Sequence, residues 1–271
     1  MGTESIALDG LTVELSNLDK VFFPDEGYTK GDLITYYERI AAVIIPHIRD
    51  HPINMQRFPD GIGVDGFYQK EIPNHFPAWI DRVYVEVRED GSQQPQVICN
   101  KAATLIYLVN QGTVTPHIWL SRSDKLDHPD RLIFDLDPPE GDFDAVRFAA
   151  HALRDLLREV TLVPYVMTTG SKGLHVVAPL DRAADFDTVR RFAREFADVL
   201  VGREPDRLTT EISKDRRRGR VFLDYLRNAY AQTVVAPYAV RPLGGAPVAT
   251  PLDWDELTEP GLHSRRYNIK N

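Results

Sequence analysis

A single cysteine in 271 residues excludes an intramolecular disulfide, so Cys99 fits a reducing compartment. No apolar run approaches the roughly 18 residues that span a bilayer. The opening, MGTESIALDGLTVEL, lacks both the basic start and the apolar core of a signal peptide. These absences lead us to expect a soluble, cytoplasmic protein with no membrane partner. Positive charge is also short: the net charge of -8 argues against nonspecific coating of nucleic acid, whose affinity comes from cations. There is no internal repeat, low-complexity tract or obvious linker, and 43% hydrophobic with 27% charged residues is ordinary for a globular chain. We therefore expect one bilobal domain over 1–271, with an N-terminal α/β lobe at 1–130 and a catalytic lobe at 131–271. The cations that exist are clustered. Lys214 to Arg220 reads KDRRRGR, five cations against one Asp, a run that suits a solvated loop and a phosphate-contacting loop equally well.

The most informative stretch is RLIFDLDP, Arg131 to Pro138, where an apolar run ends on two aspartates. Strand alternation puts Asp135 and Asp137 on one face, about 7 Å apart along the chain. Carboxylates so placed can bind hard divalent cations, and paired cations can drive nucleotidyl transfer. A lone pair of this kind also reads as a solvated Asp-Pro-Pro turn, so the surrounding order of elements has to decide.

Asp142 can cap a helix through about Val160, with Val146, Ala149, Leu153, Leu156 and Leu157 at helical spacing. An apolar segment, Val163 to Met167, the turn Thr168 to Gly173 and a second segment, Leu174 to Ala178, read as strand, turn and strand. Asp185 can cap a further helix whose core stripe is Phe186, Val189, Phe192, Phe196 and Val199, stopping at Gly202. VFLDYL, Val221 to Leu226, is the last strand candidate. The order β-α-β-β-α-β predicts an α+β, RRM-like core in which an antiparallel sheet carries both helices on one face. The first and third strands should be neighbours, with the fourth on the other side, where Asp224 joins the pair if its side chain faces the same way. Upstream, Thr29 and Asp32 approximate a capping box for a helix carrying Leu33, Tyr36, Tyr37, Ile40 and Ile44, which Pro46 ends or kinks. Strands are expected near Val83 to Val87 and Gln96 to Cys99, and a helix near Ala103 to Val109.

The turn Thr168-Thr169-Gly170-Ser171-Lys172-Gly173-Leu174-His175 offers hydroxyls, backbone amides, an ammonium and an imidazole within eight residues. That set suits a triphosphate. It is not a Walker A loop, because the Gly-Lys order of that motif is reversed.

FDLDPP, TTGSKGLHV and VFLDY, followed by VVAPYAVR, resemble the polymerase domain of bacterial ligase D, in the archaeo-eukaryotic primase superfamily. LSNLDKVFFPDEGYTK and the segment ending TPHIWLSR extend the resemblance over nearly the whole chain. It implies an archaeo-eukaryotic primase-like fold, with Asp135, Asp137 and Asp224 as catalytic, metal-holding carboxylates for two ions, Mn²⁺ or Mg²⁺. It implies nucleotide contacts from His117, Thr169, Ser171, Lys172, His175, Arg217, Gln232 and Arg241. Thr169 stands where serine is usual, and Gln232 where some relatives have lysine. Lys20 and Lys30 match residues that grip a 5′-phosphate on the downstream strand, Phe67 and Tyr68 a pair that stacks near the template, and Arg216 and Arg218 a basic loop beside Arg217. Lys30 has independent support, since a cation at a helix N-terminus opposes the macrodipole unless an anion binds there.

The expected activity is that of a primase-polymerase acting on DNA gaps or ends with a 5′-phosphate, using NTP or dNTP with a preference for ribonucleotides. The expected pathway is non-homologous end joining beside Ku and a DNA ligase, with gap filling in excision repair as the alternative, and the expected form is a stand-alone enzyme or an excised domain. A metal-dependent nuclease would leave the triphosphate turn and Arg241 unexplained. A nonenzymatic RNA-binding sheet would carry aromatics where this one carries Asp135 and Asp137.

Overall fold

The structure, a computed structural model, describes residues 4–88, 90–139 and 142–271. The chain begins with strands β1 (Glu4–Leu8), β2 (Leu11–Leu15), β3 (Val21–Phe23) and β4 (Tyr28–Thr29), followed by helix α1 (Lys30–Ile48). Next come β5 (Pro52–Arg57), β6 (Phe67–Gln69), β7 (Arg82–Glu86), β8 (Gln93–Ile98), α2 (Ala102–Asn110) and β9 (Thr113–Trp119). The chain goes on with β10 (Arg131–Asp137), α3 (Phe143–Glu159), β11 (Tyr165–Thr168), β12 (Leu174–Pro179) and α4 (Phe186–Arg203). It continues through β13 (Leu208–Thr209), the single turn α5 (Lys214–Arg217) and β14 (Val221–Asp224) before β15 (Thr233–Val235) and β16 (Pro251–Leu252).

Two compact units emerge, and neither is continuous in sequence. The first comprises 1–124, 233–247 and 268–271; the second comprises 125–232 and 248–267. A single cut at 130 is therefore displaced to 124, and the chain returns to the first unit because β15 pairs with β9, Val235 opposite His117.

In the first unit, one sheet runs β15-β9-β5-β8-β7, with β6 paired to β5. Thr29 caps α1 and forms the expected box with Asp32. The buried face of α1 is Leu33, Ile34, Tyr37, Ala41, Ile44, Ile45 and Ile48, so Tyr36 and Ile40 lie on its flank. Pro46 does not end the helix, which runs two residues further to Ile48. The Tyr37 hydroxyl donates to the Val114 carbonyl and accepts from the Val240 N–H, 2.7 and 2.9 Å, tying β9 to the segment that carries Arg241.

In the second unit, the sheet order is β13-β14-β10-β12-β11-β16. The first strand of the expected motif, β10, pairs antiparallel with the third, β12, and with the fourth, β14, as the split arrangement requires. Leu132, Phe134 and Leu136 of β10 share one core with Val146, Leu153 and Leu157 of α3 and Val189, Phe196 and Leu200 of α4. Both helices thus cover one face, and alternation sends Asp135 and Asp137 to the other. Asp142 and Asp185 cap the helices by accepting from Ala145 and Thr188 N–H, 2.9 Å each. The α4 stripe differs from expectation. Phe192 and Val199 are 37% and 50% exposed, and Ala193, Ala197 and Leu200 hold the core face instead. Small alanines rank low in a hydrophobicity reading, yet they let α4 approach the sheet.

One glycine fixes how the nucleotide turn meets the aspartate strand. A Cβ on Gly173 would overlap the Leu136 carbonyl oxygen, between the two aspartates, so only glycine permits the approach. Gly173→Ala is expected to destabilise the protein by about 1–3 kcal/mol, as overpacking does. Thermal unfolding followed by circular dichroism checks this, and an unchanged midpoint would contradict the close apposition.

Candidate active site

Register brings the acidic residues together. Asp135 stands directly opposite His175 of β12 on one side and Asp224 of β14 on the other, so all three share a face. The condition placed on Asp224 is met. His175 Nε2 lies 3.5 Å from Asp135 Oδ1. Its Nδ1 is buried with no hydrogen-bond partner among the described residues, a polar atom left over for something else. Asp137 Oδ2 lies 3.6 Å from Arg217, and Asp224 accepts the Leu226 N–H at 2.7 Å with Arg227 at 4.0 Å.

Burial, followed by the negative charge of Asp135, pushes the Asp137 carboxyl above its ordinary range, against the pull of Arg217. Asp224 is pushed up chiefly by burial, with Asp135 and Asp137 adding to it. Among the described residues, no three His, Cys, Asp or Glu side chains are gathered tightly enough to ligate one ion. The reason is visible in the pairing: Asp135 is turned to His175, Asp137 to Arg217 and Asp224 to its own backbone. The donor set nevertheless suits a hard divalent cation, because three oxygen donors on one face raise one another's energy and a cation relieves that.

Beside Asp137 opens a cleft of about 930 Å³, lined by Ser171, Lys172, Lys214, Arg217, Arg220 and Arg265 among others. Arg217 is the residue the basic loop commits to it. Its guanidinium lies over the Phe222 ring, 3.9 Å from the centroid, and donates to the Glu211 and Ile212 carbonyls, so it is held facing Asp137. Arg216 and Arg218 are exposed and stand outside the cleft lining.

The turn itself is internally braced. Thr169 Oγ1 accepts the N–H groups of Ser171 and Gly173, 3.3 and 3.2 Å, and Ser264 donates to the Gly173 carbonyl at 2.9 Å while bonding Thr169 Oγ1 at 3.2 Å. Arg265 Nε donates to the Ser171 carbonyl at 3.0 Å. Thr169 is thus a buried organiser of the turn, while Ser171 and Lys172 border the cleft. Sequence reading missed Ser264 and Arg265. Their only signal was a second small clump of cations, HSRR, well separated from the motifs.

The remaining candidates divide by unit. Gln232 is exposed and lines a separate groove with Asp224, away from Lys172. His117, Arg241, Lys20, Lys30, Phe67 and Tyr68 belong to the first unit. There, Phe67 and Tyr68 are 47% and 56% exposed on β6, so they are not core aromatics. Tyr68 meets the His117 ring edge-on at 5.3 Å, His117 Nε2 is 3.2 Å from Gln56, and Arg57 sits 5.5 Å from the Phe67 ring centre. Lys30, first residue of α1, is buried with its ammonium 2.5 Å from the Ser16 carbonyl. Burial, then the Lys20 charge, brings its pKa down to about 8. The Lys30 N–H donates to the Lys20 carbonyl, and the Lys20 ammonium reaches Pro59 and Asp60.

A family model described as LigD, primase-polymerase domain, matches residues 29–271. The chain belongs to that family. The Multifunctional non-homologous end joining protein LigD of Mycolicibacterium smegmatis is 33% identical over 259 residues, 94% of this chain and 34% of the relative. The Bifunctional non-homologous end joining protein LigD of Bacillus subtilis is 30% identical over 247 residues, 90% of this chain and 39% of the relative. The chain therefore spans about a third of the length of these relatives. Among solved structures, the polymerase domain of Mycobacterium tuberculosis ligase D in complex with DNA superposes with a TM-score of 0.89, at 33% identity over 95% of this chain and 91% of that one. The LigD primase-polymerase fold is that of a nucleotidyltransferase, and its archaeo-eukaryotic primase character agrees with the β10-to-β14 core.

The braced turn gives a prediction for this enzyme class. Thr169→Val and Ser264→Ala each remove about 1 kcal/mol of hydrogen bonding from the turn, so the KM for nucleotide should rise about fivefold with kcat little changed. Steady-state kinetics checks this, and unchanged KM in both would show that the bracing is irrelevant to nucleotide binding.

Proposed function

We propose that this chain fills short gaps or extends ends in bacterial DNA repair by adding nucleotides to a primer 3′-hydroxyl, as part of non-homologous end joining. The observation that carries this reading is the register that sets Asp135 between His175 and Asp224, with a cation-lined cleft beside Asp137. Asp135 and Asp137 would hold two divalent cations, Mg²⁺ or Mn²⁺, and Asp224 would complete the site toward the attacking hydroxyl. When bound, such ions supply a lowered hydroxyl pKa and neutralise charge on the phosphates. Lys172, Arg217, His175 and the Ser171 hydroxyl would take the triphosphate, with Thr169 shaping the turn. His117 and Arg241 are carried over from the resemblance as nucleotide-contacting positions, and Gln232 as the counterpart of a lysine in some relatives. Ribonucleotide preference and the partnership with Ku and a ligase are carried over from the resemblance. No helix among the described residues is long and apolar enough to cross a membrane.

On the DNA side, Lys20 and Lys30 would hold a downstream 5′-phosphate, and Phe67 with Tyr68 would stack near the template, helped by their exposure. Arg216 and Arg218, solvated beside Arg217, would meet DNA backbone phosphates outside the cleft.

Asp135→Ala or Asp137→Ala is expected to reduce nucleotide addition on a gapped duplex by at least about 10³-fold, while gel-shift affinity for the DNA stays within about twofold. Near-normal addition by either variant would remove the metal assignment.

Lys30 gives a pH dependence. Its ammonium form would bind phosphate, and in the free protein that form predominates below about pH 8, is half lost there and falls away above it. Preference for a 5′-phosphate over a 5′-hydroxyl gap should therefore weaken as pH rises through about 8. The same lowered pKa means that the unfolded chain binds more protons than the folded one between about 8 and 10.5, so stability rises with pH there. Titration of both gap substrates at several pH values tests the assignment, and Lys30→Met should abolish both the preference and its pH dependence.

A further inference from the structure

A second, smaller groove of about 330 Å³ lies beside Asp224, lined by Arg190 of α4, Leu226, Arg227, Ala229 and Gln232. We propose that this groove seats the phosphodiester next to the primer's 3′ end, an inference that rests on the polymerase reading above.

Three observations lead there. First, the two clefts border different carboxylates: Asp137 belongs to the large one and Asp224 to the small one. Because β14 runs antiparallel to β10, its last residue, Asp224, lies beside Asp135, two residues back from where the large cleft opens. In-line displacement needs the attacking oxygen opposite the leaving pyrophosphate. If the triphosphate tail occupies the cleft of Lys172, the primer must approach from the side of Asp224.

Second, the groove carries the charge a phosphodiester needs. Arg190 is exposed and has no hydrogen-bond or ion-pair partner among the described residues. Arg227 is held only loosely, 4.0 Å from Asp224. Two guanidinium groups and the Gln232 amide supply donors for phosphate oxygens.

Third, its wall is fixed. Asn228 is fully buried, donates to the Ile133 and Tyr225 carbonyls at 2.7 and 2.8 Å, and accepts the Ile133 N–H at 2.9 Å. Its amide continues the β10 ladder where β14 has ended, which locks the segment carrying Arg227, Ala229 and Gln232 onto the catalytic strand. The Phe186 and Tyr230 rings pack edge-on at 6.2 Å and tie that segment to α4, the helix of Arg190.

The test compares wild type with an Arg190→Ala, Arg227→Ala double variant on a primer-template whose last primer linkage is either phosphodiester or neutral methylphosphonate. Fluorescence anisotropy without nucleotide reads primer-template affinity, and steady-state addition reads the two KM values. Wild type should bind the methylphosphonate primer about tenfold more weakly. The double variant should bind both primers equally, at that weaker level, with its salt slope reduced by about one, for the one phosphate no longer neutralised. Its nucleotide KM should stay within about twofold of wild type. Wild type indifferent to the methylphosphonate, a double variant still sensitive to it, or a rise confined to nucleotide KM would each overturn the groove assignment. Failure of wild type to add nucleotide at all would overturn the polymerase reading, while anisotropy would still judge the groove. Both substituted side chains are solvent-exposed, and an unchanged thermal midpoint confirms that the variant is folded.

Discussion

The site depends on the pairing register of one strand. β10 is held on both sides by antiparallel ladders, and only in this register do Asp135, His175 and Asp224 stand in one row. A slip of one residue would send both aspartates of β10 into the core against α3 and α4, and bring Leu132, Phe134 and Leu136 to the open face. The apolar half of the strand therefore enforces the position of the polar half. Gly173 and Asn228 act as stops at the two ends, one pressed against the Leu136 carbonyl and the other bonded to both backbone groups of Ile133.

That rigidity has an electrostatic consequence. Three carboxylates are kept within reach of one another in partly buried surroundings, and two are pushed upward by burial and mutual repulsion. A fold that merely needed stability would not gather them. The surrounding cations do not neutralise the group fully, because Arg217 engages only Asp137 closely and is itself committed to Phe222 and two carbonyls. Unrelieved repulsion of this kind is what makes a site receptive to divalent ions. The adjoining cleft likewise gathers Lys172, Lys214, Arg217, Arg220 and Arg265 in a chain whose net charge is -8.

Much of this was legible from residue order. The caps Thr29, Asp142 and Asp185, the sheet neighbours of β10 and the convergence of the 169–175 turn with the aspartates all follow from period and capping chemistry. Other features were hidden for identifiable reasons. β9 is buried at every position and contains Pro116 beside the polar His117, which masks the strand signal. Pro46 lies in the last turn of α1, and the helix continues past it to Ile48 because its buried face, through Ile44, Ile45 and Ile48, holds it in place. Ser264 and Arg265 brace a turn some ninety residues earlier, a tertiary contact that no local pattern encodes. The exchange of 233–247 back into the first unit is of the same kind.

Lys30 is an electrostatic misfit where it stands. At the first position of α1 its charge opposes the helix dipole, and burial makes the ammonium costly enough to bring its pKa to about 8. Methionine or leucine would fill the space with neither penalty. The Thr29 and Asp32 capping box already satisfies the helix start, so the lysine is not needed to secure it. Its ammonium finds the Ser16 carbonyl and a second cation, Lys20, whose repulsion adds to the strain. Such an arrangement raises the energy of the charged form, and the lowered pKa is its direct expression. The same logic governs the aspartates in the second unit with the sign reversed: burial and like charge push Asp137 and Asp224 up as they push Lys30 down.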